Sequence, residues 1–283
     1  MATFTNQATL TYTGGAALSN IAVGELVEVL SATKTAVDDT YASGDNVPYV
    51  INILNSGTTP LTDLTVTDDL GGYTVGTTTV YPLAYEDGTM RYFVNGVLQP
   101  TPAVTAGPPL TVTGISVPAG GNAQLVFDTN LTGFAPLATD GAVTNTATVS
   151  GAGLTPALAQ SVITAAPAAD LTISKSLSPT TVTENGRLTY TFTVYNYGNT
   201  EATAADAVAI ADTFDPALTD LAVAFNGTTW AEPTNYTYDA GTGAFATVPG
   251  QITVPAATYT QDPTTGVITT TPGISTLTVT GTV

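Results

Sequence analysis

The chain has 283 residues, of which only 9% are charged, and 22 acidic residues against 4 basic ones give a formal net charge of −18. That charge makes nucleic acid and anionic membrane surfaces poor partners, because both are bound through Lys and Arg. With no cysteine and no histidine, thiol chemistry, disulfides, Ser-His nucleophiles and the usual zinc sites are excluded as well, and the sequence calls for no cofactor or metal.

Heavy use of Thr, Val, Ala and Gly, with 18 Pro, predicts short strands and turns rather than helices. The length suits about two domains. No apolar run is long enough for a membrane-spanning helix, and the N-terminus lacks a basic start followed by an apolar stretch. Either a secretion signal has been trimmed or export takes another route.

In chain order, the first element is FTNQATLTYTGG, residues 4–15, whose alternation puts Phe4, Asn6, Ala8, Leu10 and Tyr12 on one face. The same pattern returns as VTNTATVSGAG at 143–153, where it closes a block of strands. Residues 1–13 therefore read as a closing strand with no block of its own, and 14–28 as a linker.

The first block, 29–150, runs through TKT (33–35), YVINILNSG (49–57), LTVTDDL (64–70), AQLVFDTNL (123–131) and VTNTATV (143–149). Within it, DDTYASGDN (38–46) carries carboxylates of the kind that bind calcium, but no full ligand loop, and reads as a solvated turn. YEDGTM (85–90) reads as a hairpin turn rather than a catalytic pair at Glu86 and Asp87. Residues 151–168 read as a second linker.

The second block, 169–283, repeats the landmarks as SKS (174–176), YTFTVYNYG (190–198), VAIADTF (208–214) and TLTVTGTV (276–283). Lys34 to Asn55 and Lys175 to Asn196 both span 21 residues, which marks an internal repeat. Trp230, Tyr236 and Tyr238 read as core or subunit-contact packing ahead of a ligand-facing patch. The triplets beginning at Asn130, Asn226 and Asn235 fit a glycan acceptor pattern, which a Thr-rich chain produces by chance.

Tyr49, Ile51 and Ile53 alternate onto one face, as do Tyr190, Phe192 and Val194. Strands of this kind at this density predict an all-β protein of two tandem immunoglobulin-like β-sandwiches. The stretch DLTISKSLSPTTVTENGRLTYTFTVYNYGNTEAT, with NTATVSG at 145–151 of the other block, resembles the conserved repeat of bacterial and archaeal surface proteins known as domain of unknown function 11. The resemblance covers both blocks and implies an extracellular structural role. It implies no enzyme.

Aligned from their ends, the blocks place Val283 opposite Leu131, so the second block stops before the counterpart of 143–149. Its expected open slot lies beside Leu277, Val279 and Val283, where unpaired backbone invites a strand from elsewhere. Residues 2–13 of a neighbouring copy fit that need, and a head-to-tail contact that does not close makes a filament. The expected partner is thus the chain itself, with an unknown surface ligand also open. Two alternatives remain: the strand folds back in cis, leaving a monomeric surface adhesin, or it is an extra strand of the first block. The expected location is a cell or spore surface, the latter by resemblance to ribbon-like spore appendages built of similar repeats.

Lys34 and Lys175 are the only lysines and hold equivalent positions. Alternation turns Lys34, Asp68 and Asn145 inward in the first block. The corresponding set is Lys175 and Asp212, with Asn6 arriving on the donated strand. Buried charges need compensation. One solution is a Lys–Asp ion pair with Asn as hydrogen-bond partner. The other is a Lys–Asn isopeptide bond, similar to that of Gram-positive pilins and collagen-adhesin-type domains. It needs a neutral, desolvated amine to attack the carboxamide and a protonated acid to shuttle protons while ammonia leaves. Any chemistry would then be a single turnover on the protein itself.

Overall fold

The computed structural model describes residues 2–283. Among these the only helix is a single 3-10 turn at Ala204–Asp206, capped by Thr203; everything else regular is strand. Two compact units share the chain. Unit 1 reaches to Ile163 apart from 75–78 and 136–142; unit 2 holds those two stretches and 164–283.

The chain opens with a long hairpin. Strand β1 (Ala2–Asn6) pairs β4 (Ala22–Leu26), and β2 (Thr9–Tyr12) pairs β3 (Gly15–Leu18). Gly14, at φ +118°, makes the turn, in a region that side-chain-bearing residues avoid. Opposite Phe4, Asn6, Leu10 and Tyr12 stand Gly24, Ala22, Ala17 and Gly15, so one face carries large side chains on one strand and small ones on the other. A Cβ at position 24 would sit 2.3 Å from the Phe4 ring. Phe4, Leu10 and Tyr12 are all exposed.

In unit 1 the strands are β5 (Leu30–Ala36), β6 (Thr40–Tyr41), β7 (Asn46–Asn55), β8 (Leu61–Asp68), a short β9 (Tyr73–Val75) and β10 (Thr78–Val80), β11 (Leu83–Tyr85), β12 (Arg91–Val94), β13 (Val97–Gln99), β14 (Ala103–Thr105), β15 (Leu110–Val117), β16 (Asn122–Leu131), β17 (Ala142–Ser150) and β18 (Ala157–Ala165). One sheet has the order β13-β12-β16-β7-β5, with β11 also on β16, and the other β14-β15-β8-β17-β18-β6. Every second residue of β7, from Val47 through Tyr49 and Ile51 to Ile53, is buried, as are Leu64, Val66, Ala147 and Val149 of the other sheet.

Unit 2 contains β19 (Leu171–Ser178), β20 (Arg187–Asn196), β21 (Ala211–Thr213), β22 (Thr219–Phe225), β23 (Thr228–Trp230), β24 (Tyr236–Asp239), β25 (Ala244–Thr247), β26 (Thr258–Gln261), β27 (Ile268–Thr271) and β28 (Gly273–Thr282). Its larger sheet, β19-β20-β28-β22-β23, repeats the β5-β7-β16-β12-β13 path of unit 1, with no separate counterpart of β11. Its second sheet has only β21-β25-β24, the counterparts of β8, β15 and β14. Beyond β21, where unit 1 continues with β17, β18 and β6, no strand follows among the described residues.

Three expectations need correction. The stretches 14–28 and 151–168, read as linkers, contain β3 with β4 and β18 respectively; their inner positions are mostly Ala, Gly and Ser, which give little hydrophobic contrast to reveal a strand. The slot expected beside Leu277, Val279 and Val283 does not lie there, since β28 is an interior strand bonded to β20 on one edge and β22 on the other. The open edge is β21, in the opposite sheet. Finally, Glu86 and Asp87 turn between β11 and β12, which pair successive stretches of β16 rather than each other, so the turn bends an edge and closes no hairpin.

The core of unit 2 rests on an aromatic group in which Phe245 stands 5.7 Å from Phe214 and 5.5 Å from Tyr236 between ring centroids. Phe245→Ala should therefore lower unfolding stability by about 3–5 kcal/mol, read as a shift of the denaturant midpoint of unit 2. A loss below about 1 kcal/mol would show that this cluster does not hold the unit together.

Candidate crosslink and docking site

Lys34 enters the interior of unit 1 from β5, where it stands opposite Ile51 of β7. Asp68 ends β8 on the facing sheet, directly opposite Ala147 of β17. Asn145 lies two residues from Ala147 on the same face and is therefore the diagonal neighbour of Asp68. The backbone between them is pinned twice, by Thr146 N–H donating to Asp69 Oδ1 at 2.8 Å and Asp69 N–H donating to Thr146 O at 2.9 Å.

Within this frame Lys34 Nζ donates to Asp68 Oδ2 at 2.5 Å, and Asp68 Oδ1 accepts the Leu70 N–H at 3.0 Å. The two side chains are 0% and 1% exposed. Nζ also lies 4.7 Å from the Tyr49 ring centroid. Burial holds the Lys34 amine below the usual lysine range and pushes the Asp68 carboxyl up, each opposed in part by the attraction of its partner. Both directions favour moving the shared proton from nitrogen to oxygen, leaving a neutral amine beside a carboxylic acid.

Asn145 is wholly buried, yet neither its Nδ2 nor its Oδ1 meets a hydrogen-bond partner, and the Tyr49 hydroxyl has none either. Burial pushes the Tyr49 phenol up, and the Asn145 side chain is close enough to oppose that shift without closing a bond. Leaving such groups unpaired in a dry interior costs about 1–3 kcal/mol each. An amine, an acid and an unsatisfied carboxamide are thus enclosed in one compartment.

Unit 2 repeats the amine and the acid. Lys175 Nζ on β19 contacts Asp212 Oδ2 on β21 and lies 4.5 Å from the Tyr190 ring centroid, Tyr190 being the counterpart of Tyr49. Here the side chains are 41% and 19% exposed. Ile173, on the same face of β19, is 56% exposed. The difference is cover: in unit 1 β17 and β18 roof this face, and in unit 2 no strand does so among the described residues.

Of the six residues expected to act together, Lys34, Asp68 and Asn145 share one interior, and Lys175 meets Asp212. Asn6 stands exposed on the hairpin opposite Ala22. Sequence reasoning missed Tyr49 and Tyr190 as the aromatic floors, although both fall on the inward parity of their strands. It also missed β21 as the open edge. Elsewhere, Asp45 Oδ2 accepts the Ala42 N–H at 2.7 Å, and no cluster of three or more acidic side chains occurs among the described residues. Trp230 and Tyr236 are buried in the core of unit 2.

Among solved structures, the chain is similar to the collagen-binding domain of a Staphylococcus aureus adhesin, at 13% identity and a TM-score of 0.31 over 50% of this chain and 99% of that one. It is also similar to the pilus backbone RrgB of Streptococcus pneumoniae, at 12% identity and 0.33 over 86% of this chain and 55% of that one, and so spans about half its length. A third likeness is to BcpA, the major pilin subunit of Bacillus cereus, at 12% identity and 0.36 over 96% of this chain and 73% of that one. Pilus backbones and surface adhesins thus stand among its structural neighbours. No protein-family model matches the sequence, and no curated protein does.

The contrast in cover fixes the expected effect of removing each lysine. Lys34→Ala strands the Asp68 carboxyl in a dry site and should cost about 3–5 kcal/mol, whereas Lys175→Ala removes a solvent-screened pair and should cost less than about 1 kcal/mol in the unassembled chain. Urea unfolding of both variants checks this, and equal losses would contradict it.

Proposed function

We propose that the chain is the structural subunit of an extracellular fibre, growing as the N-terminal segment of one copy fills the uncovered face of unit 2 in the next. The observation that carries this reading is the pair of lysine–aspartate contacts: roofed by β17 in unit 1, unroofed in unit 2, while a segment with the β17 pattern stands exposed at 3–12. Transposing the register of β17 on β8 places Ala8 opposite Asp212 and Asn6 diagonal to it, as Asn145 is to Asp68. The contact uses different surfaces on its two sides and so propagates. The surface-protein resemblance of the sequence supports a place outside the cell, on the cell or a spore.

The same reading includes covalent closure. Lys34 Nζ attacks Asn145 Cγ while the Asp68 carboxylic acid protonates the carboxamide oxygen. Asp68 then takes one proton from the attached amine and passes it to the Asn145 nitrogen, the Asn145 C–N bond breaks, and ammonia leaves. As the carbonyl re-forms, its oxygen returns the borrowed proton to Asp68, leaving a Lys34–Asn145 amide and a protonated acid. In the fibre, Lys175, Asp212 and the Asn6 of the neighbouring copy would react in the same way and join the copies.

Intact-mass measurement of the denatured chain should show one ammonia lost from unit 1, with no such loss in Asn145→Ala. An unshifted mass contradicts the covalent step. Denatured fibres should run as a ladder that Lys175→Ala or Asn6→Ala abolishes; a chain that stays monomeric in electron micrographs would favour the adhesin reading instead.

A further inference from the structure

We infer that the element docked into unit 2 is the whole hairpin of residues 2–26, entering as a preformed two-stranded body, rather than one strand of it. This rests on the fibre reading and specifies its partner surface: a second copy supplies both strands.

Among the described residues, unit 2 has no counterpart of β17, of β18 or of β6 in strand form. In unit 1, β17 is followed across the sheet by β18 and then β6. β18 buries Ala159, Ile163 and Ala165, and its Ser161 Oγ accepts the Ala36 N–H of β5 at 3.0 Å, so it roofs the same strand that carries Lys34. Its outer edge holds β6 in strand form. In unit 2 the counterpart of β6, residues 181–182, is not a strand, and β19, the counterpart of β5, leaves Ile173 and Lys175 open. A lone strand beside β21 would fill the place of β17 and leave that of β18 vacant.

The hairpin matches the pair. Its first side repeats β17, and β3 with β4 follows it closely in sequence, as β18 follows β17. The side chains bridge in the same place: Gln160 Nε2 donates to Thr146 Oγ1 at 3.4 Å in unit 1, and Gln7, the counterpart of Thr146, donates through Nε2 to Ser19 O at 2.8 Å. Only residues 27–29 separate β4 from β5, and only 166–170 separate β18 from β19, so each hairpin leads at once into the unit that follows it. The hairpin thus stands to unit 1 as β17–β18 stands to unit 2, as the closing pair of a preceding sandwich. Its exposed Phe4, Leu10 and Tyr12, opposed by Gly24, Ala17 and Gly15, line up along one side of the hairpin as an apolar row open to a partner. Because β1–β4 and β2–β3 are already bonded, docking keeps those hydrogen bonds and adds new ones at both outer edges.

Hydrogen exchange of the full chain, as unassembled subunit and as fibre, tests this. Backbone amides in both 2–12 and 15–26 should exchange at least about tenfold more slowly in the fibre. If 2–12 slows while 15–26 speeds up, a single strand has left its hairpin to insert, and the inference is overturned while the fibre reading stands. If neither segment slows, or no fibre forms, both are overturned.

Discussion

A lysine and an aspartate face each other from opposite sheets in both units, and what differs between the two sites is the roof that excludes water from one of them. In unit 1 β17 and β18 form that roof, and burial beneath it lowers the Lys34 amine and raises the Asp68 carboxyl. In unit 2 the same pair stands half open. Two sites of one chemistry are therefore distinguished by cover alone.

That difference gives the proposed assembly an order of events. The enclosed site of unit 1 is complete once its sandwich has folded. Among the described residues the site of unit 2 has neither dry surroundings nor a carboxamide, so in the proposed fibre, where a second copy brings both, docking and any crosslinking would occur together. Tyr49 and Tyr190 floor the two sites at nearly equal distances from nitrogen, 4.7 and 4.5 Å, which leaves the roof as the part that varies. The unpaired Asn145 amide adds a reason for reaction: an amide bond to Lys34 would remove the Nδ2 donors that have no acceptor.

Much of this was legible in the residues. The 21-residue interval from lysine to asparagine in each block defined the repeat, and alternation assigned Lys34, Asp68 and Asn145 to the interior because strands β5, β8 and β17 carry no bulge at those positions. β18 and the return strand of the N-terminal hairpin were not legible, since Ala157, Ala159 and Ser161, like Gly15, Ala17 and Ala22, offer no period-two contrast in hydrophobicity. The open edge was misplaced for a topological reason. Chain order set the missing strand beside β28, but in a sandwich the closing strand crosses to the other sheet, and β17 lies against β8, some 80 residues earlier, rather than against β16.

The central claim, that one copy's N-terminal segment lies along β21 of another, is most directly tested by disulfide trapping, which the cysteine-free sequence leaves without background. Thr148 stands opposite Thr67 in unit 1, and their counterparts are Thr9 and Ala211. When a Thr9→Cys chain and an Ala211→Cys chain are mixed, assembled and mildly oxidised, the account predicts a reducible heterodimer joining the two variants. Assembly without that crosslink, or a double variant that closes only upon itself as a monomer, would contradict it.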